Sequence, residues 1–431
     1  MTPFTFHMVY RTCGRVKLME EGRAFVADKI LKALSLLLLI SSSAVGQTIP
    51  ASYFGMHDIN APGMNPWPLV SFGTFRLWDN YDITWSNLEP SRGTYNWASL
   101  DNYINVLNSH NVTDIIYTFG YTPSWAGASI CTPPSDSDYI AFVTAIVTRY
   151  KNSIKHWETW NEPYAGNFWC GNMTQLVSLQ NDLYNTVKSI DPTATVHTPA
   201  LFFSMTPGVC TDSFLAANGT SNFDVLDAHL YPYTPVTAPE SLGGSGGLAD
   251  GLCAMNTYGI SNKPLWNTEF SWGMNSWLPN INDQIAFLAR SHLYLRSNGV
   301  ARSYWYAYNN GGWGTIYNGT GLNTAGVAYQ QVYTWMVGAT MTTPCALASN
   351  VWSCDFTLAN GNLGRAVWLD VFGSTATQSY TPGGTFNKYL DLAGGATNFS
   401  NSVTISEQPI LLEGTVSARP NAPTALMVTV H

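Results

Sequence analysis

The stretch WETWNEP, residues 157–163, is a short run with two tryptophans that ends in an Asn-Glu-Pro tripeptide. Residues 264–270 read PLWNTEF and place a second glutamate at the end of a similar run. Apolar runs of about four to eight residues are typical of strands that are buried on both faces, as in a parallel sheet. We therefore interpret both stretches as buried strands, one ending near Glu162 and the other at Glu269.

Short apolar runs alternate with amphipathic segments on both sides of these two stretches. Eight strands are predicted, near residues 53–57, 73–78, 114–119, 156–161, 195–201, 225–230, 264–269 and 302–308. Between them lie segments such as residues 139–150, with the i, i+3, i+4, i+7 spacing of a helix. Eight parallel β/α units predict an α/β fold, a (β/α)8 TIM barrel. A doubly wound open sheet is the alternative, but no glycine-rich phosphate loop supports it.

The pattern changes near residue 340, where short strands and turns replace the helical spacing. This change predicts a small C-terminal β-sandwich. The predicted organisation is an export segment at residues 1–46, a catalytic barrel at 47–339, a β-sandwich accessory domain at 340–414 and a tail or linker at 415–431.

The N-terminal segment has the order of a secretory signal. Lys29 and Lys32 precede an apolar run at residues 33–40, and small residues follow up to Gly46. The run is too short for a stable membrane anchor. We therefore expect a secreted, extracellular or periplasmic protein.

The cysteines fit an exported protein. Six of the seven follow the predicted signal, and an even number in an exported chain suggests disulfides. Pairs between sequence neighbours are favoured. Cys345–Cys354 is the clearest prediction, because a short hairpin could bring these two residues together. The cysteine and histidine spacings do not resemble a zinc site.

The composition indicates which classes of molecule the chain can bind. The formal net charge is −8 and no basic block occurs, which argues against a nucleic-acid partner. Aromatic residues make up 13% of the chain. Most are expected in the core, but flat aromatic faces also stack on sugar rings.

The two glutamates suggest the chemistry. Strand carboxyl ends meet on one face of a barrel, so Glu162 and Glu269 are expected to face each other across its mouth. Two opposed carboxyl groups are the minimum apparatus for cleaving a glycosidic bond, and no metal or cofactor is needed.

These motifs resemble clan A of the retaining glycoside hydrolases, over roughly residues 50–340. Residues 82–97, DITWSNLEPSRGTYNW, look most like family 39 and its relatives. The resemblance implies that Glu162 is the acid/base and Glu269 the nucleophile. The substrate would be an oligo- or polysaccharide.

The resemblance also implies roles for four neighbouring residues. Arg76 matches the residue that supports the nucleophile, and Asn161 matches the one that binds the sugar 2-hydroxyl. His229 and Tyr231 match a pair beside the nucleophile.

Further substrate contacts are expected from aromatic and acidic residues. Trp305 matches the sugar platform of strand eight, so its neighbours Tyr304 and Tyr306 should point into the helix layer. Trp125 either lines a subsite or packs a loop. Asp79 and Asp82 either contact the substrate or cap a helix or a turn.

Catalysis by this pair would retain the anomeric configuration, with carboxyl groups about 5–5.5 Å apart. Burial and the charge of Glu269 are expected to raise the pKa of Glu162, so that it can donate a proton. Two alternatives stay open: a non-catalytic carbohydrate-binding protein on a degenerate barrel, and a transglycosylase. The sequence does not decide the sugar, its linkage, or endo against exo action.

Overall fold

A computed structural model describes residues 46–59, 62–202, 211–232, 234–243, 247–383 and 385–415. Each of the eight predicted strands is present, slightly shorter or shifted at its ends. The strands are β1 (Phe54–Met56), β2 (Thr74–Leu77), β3 (Ile115–Thr118), β4 (His156–Glu158), β5 (Thr195–His197), β6 (Leu226–His229), β7 (Leu265–Phe270) and β8 (Arg302–Trp305).

Helices connect these strands. They are α1 (Trp85–Leu88), α2 (Ala98–Ser109), α3 (Asp136–Tyr150), α4 (Met173–Ile190), α5 (Thr211–Ala216), α6 (Leu248–Thr257), α7 (Ile281–Ser297) and α8 (Thr324–Met336). Short 3-10 helices lie at Ala51–Tyr53, Pro62–Met64 and Pro239–Gly243. Side chains at the N-cap fix where two of the helices begin. Before α3, Ser135 accepts a hydrogen bond from the backbone N–H of Asp138. Before α4, Asn172 forms a capping box with Gln175.

The strands form one parallel sheet in the order β5-β4-β3-β2-β1-β8-β7-β6. Single parallel bridges, His197 with Val225 and Leu201 with Ala228, join the two edges of this sheet. The predicted (β/α)8 barrel is therefore confirmed.

The barrel interior is a packed core. Ile116, Val225, Trp266 and Tyr304 form a buried cluster inside it, and the guanidinium of Arg302 lies 3.8 Å from the centre of the Trp266 ring. This apolar layer closes the barrel below its carboxyl-terminal mouth, where polar side chains take over.

The C-terminal region is antiparallel, as predicted for a β-sandwich. Six strands pair in the order β14-β13-β16-β11-β10-β9, and β12 pairs with β15. Their bounds are β9 (Thr340–Ala348), β10 (Val351–Thr357), β11 (Leu363–Leu369), β12 (Gln378–Tyr380), β13 (Phe386–Leu390), β14 (Ala396–Asn398), β15 (Val403–Ile405) and β16 (Ile410–Gly414).

A buried ion pair links this region to the barrel. Arg290 of α7 donates to both carboxylate oxygens of Glu240 and to the carbonyl of Val371, and the indole of Trp368 also donates to Glu240. The C-terminal sheets thus pack against α7 and the segment that follows β6.

Two of the expected disulfides, Cys131–Cys170 and Cys345–Cys354, are present. Cys210, residues 1–45 of the predicted signal and residues 416–431 of the predicted tail lie outside the described residues. Among the helices of the described part, none is both long and apolar enough to cross a membrane.

Candidate active site

Glu162 and Glu269 face each other at the barrel mouth. Glu269 belongs to β7, whereas Glu162 lies beyond the end of β4, where its backbone φ of 39° turns the chain. One oxygen from each carboxylate and a ring nitrogen of His229 all lie within 4.8 Å of one another. An oxygen of Glu162 and an oxygen of Glu269 are therefore close enough to act on the same glycosidic bond.

Arg76 connects the nucleophile candidate to strand four. Its guanidinium is fully buried and donates to both oxygens of Glu158, at 2.7 and 2.9 Å. It also donates to Oε2 of Glu269 at 3.0 Å and to Oδ1 of Asn161 at 2.9 Å. Thr118 donates to Glu158 as well. The bidentate pair fixes Arg76, so Arg76 in turn fixes one oxygen of Glu269.

Tyr231 forms a hydrogen bond with Glu269, and His229 forms one with Glu162. The Tyr231 hydroxyl donates to Oε1 of Glu269 at 2.7 Å. His229 places Nδ1 2.7 Å from Oε1 of Glu162 and Nε2 3.8 Å from Oε2 of Glu269. Both residues thus lie beside Glu269, as the resemblance implies, but the short hydrogen bond of His229 goes to Glu162.

Tyr164 is a contact that the sequence did not reveal. Its hydroxyl donates to Oε1 of Glu162 at 2.6 Å. The residue lies only two positions after Glu162, in the same loop, and that proximity was the one available signal.

Burial and neighbouring charges shift the pKa values of Glu162 and Glu269 in opposite directions. Burial raises the pKa of Glu269 to about 7, and the charge of Glu162 adds to this effect, while His229 and Arg76 oppose it. Burial also favours neutral Glu162, but the hydrogen bond and charge of His229 outweigh it, so the pKa of Glu162 falls below its ordinary value. The expected rise for Glu162 is therefore wrong for this arrangement.

The two carboxylates favour the protonated form of His229. Burial alone would lower its pKa, but the charge of Glu269 and the hydrogen bond to Glu162 raise the pKa of His229 overall. Glu162, His229 and Glu269 are the one group in the described residues with three ligand atoms close enough for a metal.

Trp305 does not reach the mouth. Its ring is fully buried against Phe270, Trp272 and His292, and its indole N–H donates to the carbonyl of Gly314 at 2.7 Å. His292 belongs to α7, so Trp305 points into the helix layer. The predicted sugar platform at Trp305 is therefore wrong.

Tyr304 and Tyr306, on either side of Trp305, point toward the inside of the barrel. The hydroxyl of Tyr304 forms a hydrogen bond with the hydroxyl of Thr74, 2.8 Å away in the barrel interior. Tyr306 donates to Oδ2 of Asp79 at 2.6 Å. Side chains alternate along a strand, so the assignment of Trp305 was one residue out of register and reversed all three directions.

Comparison with known proteins identifies the family. Residues 72–311, more than half of the chain, match the model of the family described as Cellulase (glycosyl hydrolase family 5). The chain belongs to this family. It is thus a clan A glycoside hydrolase, as predicted, and its substrate is a carbohydrate.

Solved structures similar to this family 5 chain share its fold. A family 39 glycoside hydrolase from the gut symbiont Bacteroides cellulosilyticus WH2 is 17% identical, with a TM-score of 0.70, over 86% of this chain and 83% of that one. A glucosidase from Croceicoccus marinus is 16% identical, with a TM-score of 0.63, over 87% and 98%. A family 39 β-xylosidase from Caulobacter crescentus is 14% identical, with a TM-score of 0.56, over 80% and 89%.

Trp125 lies in a loop of the family 5 barrel. Its indole donates to the carbonyl of Glu89 at 2.8 Å, its ring meets Trp85 edge-on, and Arg92 lies over it at 5.2 Å. These contacts favour the loop-packing interpretation over a subsite.

Other aromatic rings lie nearer the carboxylates. Trp313 packs edge-on against Tyr231, with ring centres 5.4 Å apart, and Trp277 packs against Trp313. Trp78 stacks on Tyr121 at 4.8 Å. Burial, followed by nearby carboxylates including Glu162, raises the pKa of Tyr121 to about 12. The sequence did not single out these rings, because their positions depend on loops.

Proposed function

We propose that this chain is a secreted retaining glycoside hydrolase that cleaves O-glycosidic bonds by double displacement. Glu269 is the nucleophile and Glu162 the acid/base. The proposal is carried by the two facing carboxylates, which have oxygens within 4.8 Å of each other. The N-terminal signal motif and the disulfides support secretion.

In the first step Glu269 attacks C1 of the sugar and forms a glycosyl ester. Arg76 and Tyr231 each donate to a different oxygen of Glu269, which orients the carboxylate and favours its ionised form. The C1–O bond breaks as Glu162 protonates the departing oxygen.

The proton for this step is shared with His229. Its Nδ1 lies 2.7 Å from Glu162, close enough for direct transfer as the departing oxygen gains charge. In the second step Glu162 takes a proton from water, and the water oxygen attacks C1 and releases Glu269. Two inversions at C1 retain its configuration.

Asn161 is positioned for the sugar 2-hydroxyl. Its Oδ1 accepts from Arg76, so its amide N–H groups are what it can offer to the sugar. Such a contact strengthens as the ring approaches an oxocarbenium ion.

For the substrate we propose β-linked glucosides or xylosides. The family is described as Cellulase, and the structural neighbours include a glucosidase, a β-xylosidase and a family 44 endoglucanase. Half-buried Trp277 and Trp313 beside Tyr231 fit sugar stacking next to the reacting centre.

The test is hydrolysis of a panel of β-glucans, xylans and nitrophenyl glycosides, with product sizing and proton NMR of the first-formed sugar. We expect a β-configured first product. An inverted product would contradict the mechanism, and oligosaccharides longer than the substrate would favour the transglycosylase. Binding of glycans without any turnover would favour the carbohydrate-binding protein.

Glu269→Gln is the matched inactive variant. Glu413→Gln, in β16 of the C-terminal sheet, is the control that makes the same chemical change far from the mouth.

A further inference from the structure

Asp79 is a third carboxyl group at the barrel mouth, and the mechanism leaves it unused. It follows the end of β2, and its Oδ2 accepts a hydrogen bond from Tyr306 at 2.6 Å. Its Oδ1 is buried and has no hydrogen-bond partner in the described part of the chain. Burying a carboxylate oxygen without a hydrogen-bond donor costs free energy. A donor from a bound molecule would remove that cost.

Asp79 lies within electrostatic reach of the reacting pair. Burial raises the pKa of Asp79, the Tyr306 hydrogen bond opposes this, and the charge of Glu162 adds to it. In the other direction, the charge of Asp79 helps to raise the pKa of Glu269. Contacts place Asp79 on the same side of the mouth. It lies three residues after Arg76, which donates to Glu269 at 3.0 Å. Its partner Tyr306 donates its backbone N–H to the carbonyl of Phe270, the residue after Glu269, at 2.9 Å. A sugar held between Glu162 and Glu269 is therefore close to Asp79.

Tyr306 fixes the direction of the Asp79 carboxylate. The Tyr306 ring packs against buried His57, with centres 5.1 Å apart, so its hydroxyl is held in place. With Oδ2 engaged by Tyr306, Oδ1 is the oxygen left for a ligand.

Asp79 does not cap a helix. The next helix, α1, begins at Trp85 and has Thr84 at its N-cap position. Asp82 differs from Asp79 in being exposed, at a backbone φ of 56° that marks a turn.

We propose that Asp79, oriented by Tyr306, accepts a hydrogen bond from one ring hydroxyl of the sugar that occupies the site, at C3, C4 or C6. The inference rests on the proposed function and adds a specificity determinant to it. Asn161 is already assigned to the 2-hydroxyl. The ligand class is thus a neutral pyranoside with a free hydroxyl at that carbon.

The experiment uses the full chain and the nitrophenyl β-glycoside that it hydrolyses fastest, with the 3-, 4- and 6-deoxy derivatives of that glycoside. Asp79→Ala should lower kcat/KM for the parent by about 10–100-fold, the range of one hydrogen bond to a charged group. For one deoxy derivative, the wild type and Asp79→Ala should be equally active, because the missing hydroxyl already removes the contact.

Tyr306→Phe should show a smaller loss that disappears with the same deoxy derivative. Asp101→Asn, in α2 where the side chain pairs with Arg149 at the surface, should leave all rates unchanged. An equal loss on every derivative, or a loss that follows a shifted pH profile, would overturn the proposal, since both indicate action through the fold or through Glu269. Normal hydrolysis of the parent by Asp79→Ala would overturn it as well. Failure of the proposed function would show differently, as Glu269→Gln retaining activity.

Discussion

His229 lies between the two facing carboxylates, with Nδ1 2.7 Å from Glu162 and Nε2 3.8 Å from Glu269. The Nε2 atom is buried and has no hydrogen-bond partner among the described residues. His229 therefore directs its one short contact at the acid/base candidate and acts on Glu269 through charge alone.

Acid catalysis can be tested through the leaving group. Glu162→Gln should lower kcat/KM by about 10²–10⁴-fold for glycosides with a poor leaving group such as phenol. It should have little effect on 2,4-dinitrophenyl glycosides, whose leaving group needs no proton. His229→Asn should show the same dependence with a smaller loss. A His229→Asn loss that is independent of the leaving group would contradict the proton-sharing role.

The ionisation of Glu269 is expected to set the acid side of the pH profile of kcat/KM. Glu269 attacks only when ionised, and burial raises its pKa to about 7, so kcat/KM should fall as the pH drops below about 7. Tyr231→Phe removes a hydrogen bond to the ionised form and should move this acid limb to higher pH. Tyr164→Phe is the matched control, because its hydroxyl contacts Glu162 and the acid limb should stay in place. Equal shifts in both variants would contradict the assignment.

Trp305 is expected to affect stability without affecting substrate binding. Trp305→Phe loses the hydrogen bond to Gly314 and leaves a small cavity beside α7. The free energy of unfolding should fall by less than the roughly 3–5 kcal/mol of complete truncation. KM should not change. Denaturant titration and steady-state kinetics measure both quantities, and a raised KM with unchanged stability would restore Trp305 as a sugar platform.

The Cys345–Cys354 disulfide should stabilise the fold and leave catalysis intact, because it joins β9 and β10 of the C-terminal sheet. Its residues are 9 positions apart, and the loop-entropy model gives about 2–3 kcal/mol for so short a loop. The double Cys→Ser variant should melt at a lower temperature with unchanged kcat. Two free thiols in the secreted wild-type protein would contradict the prediction.

The barrel was predictable because its periodicity repeats. Each β/α unit carries the same apolar alternation, so an error in one unit is corrected by its neighbours. The same order placed Glu162, Glu269 and Arg76 at one end of the barrel, where they meet.

Two features of the site could not be predicted from the sequence. The direction of Trp305 depended on a one-residue register that three consecutive aromatic residues, 304–306, do not reveal by hydrophobicity. The partner of His229 depended on the turn at Glu162, whose φ of 39° brings that carboxylate to β6. Loop geometry of this kind is set by tertiary contacts.

The central claim, that Glu269 is the nucleophile, is tested most directly by trapping the covalent intermediate. The wild-type enzyme is incubated with an activated 2-deoxy-2-fluoro-β-glycoside of its preferred sugar, digested and analysed by peptide mass spectrometry. We predict one added fluoroglycosyl group, on the carboxylate of Glu269, and none in Glu269→Gln. Labelling of a different residue, or an equal label in Glu269→Gln, would contradict the account.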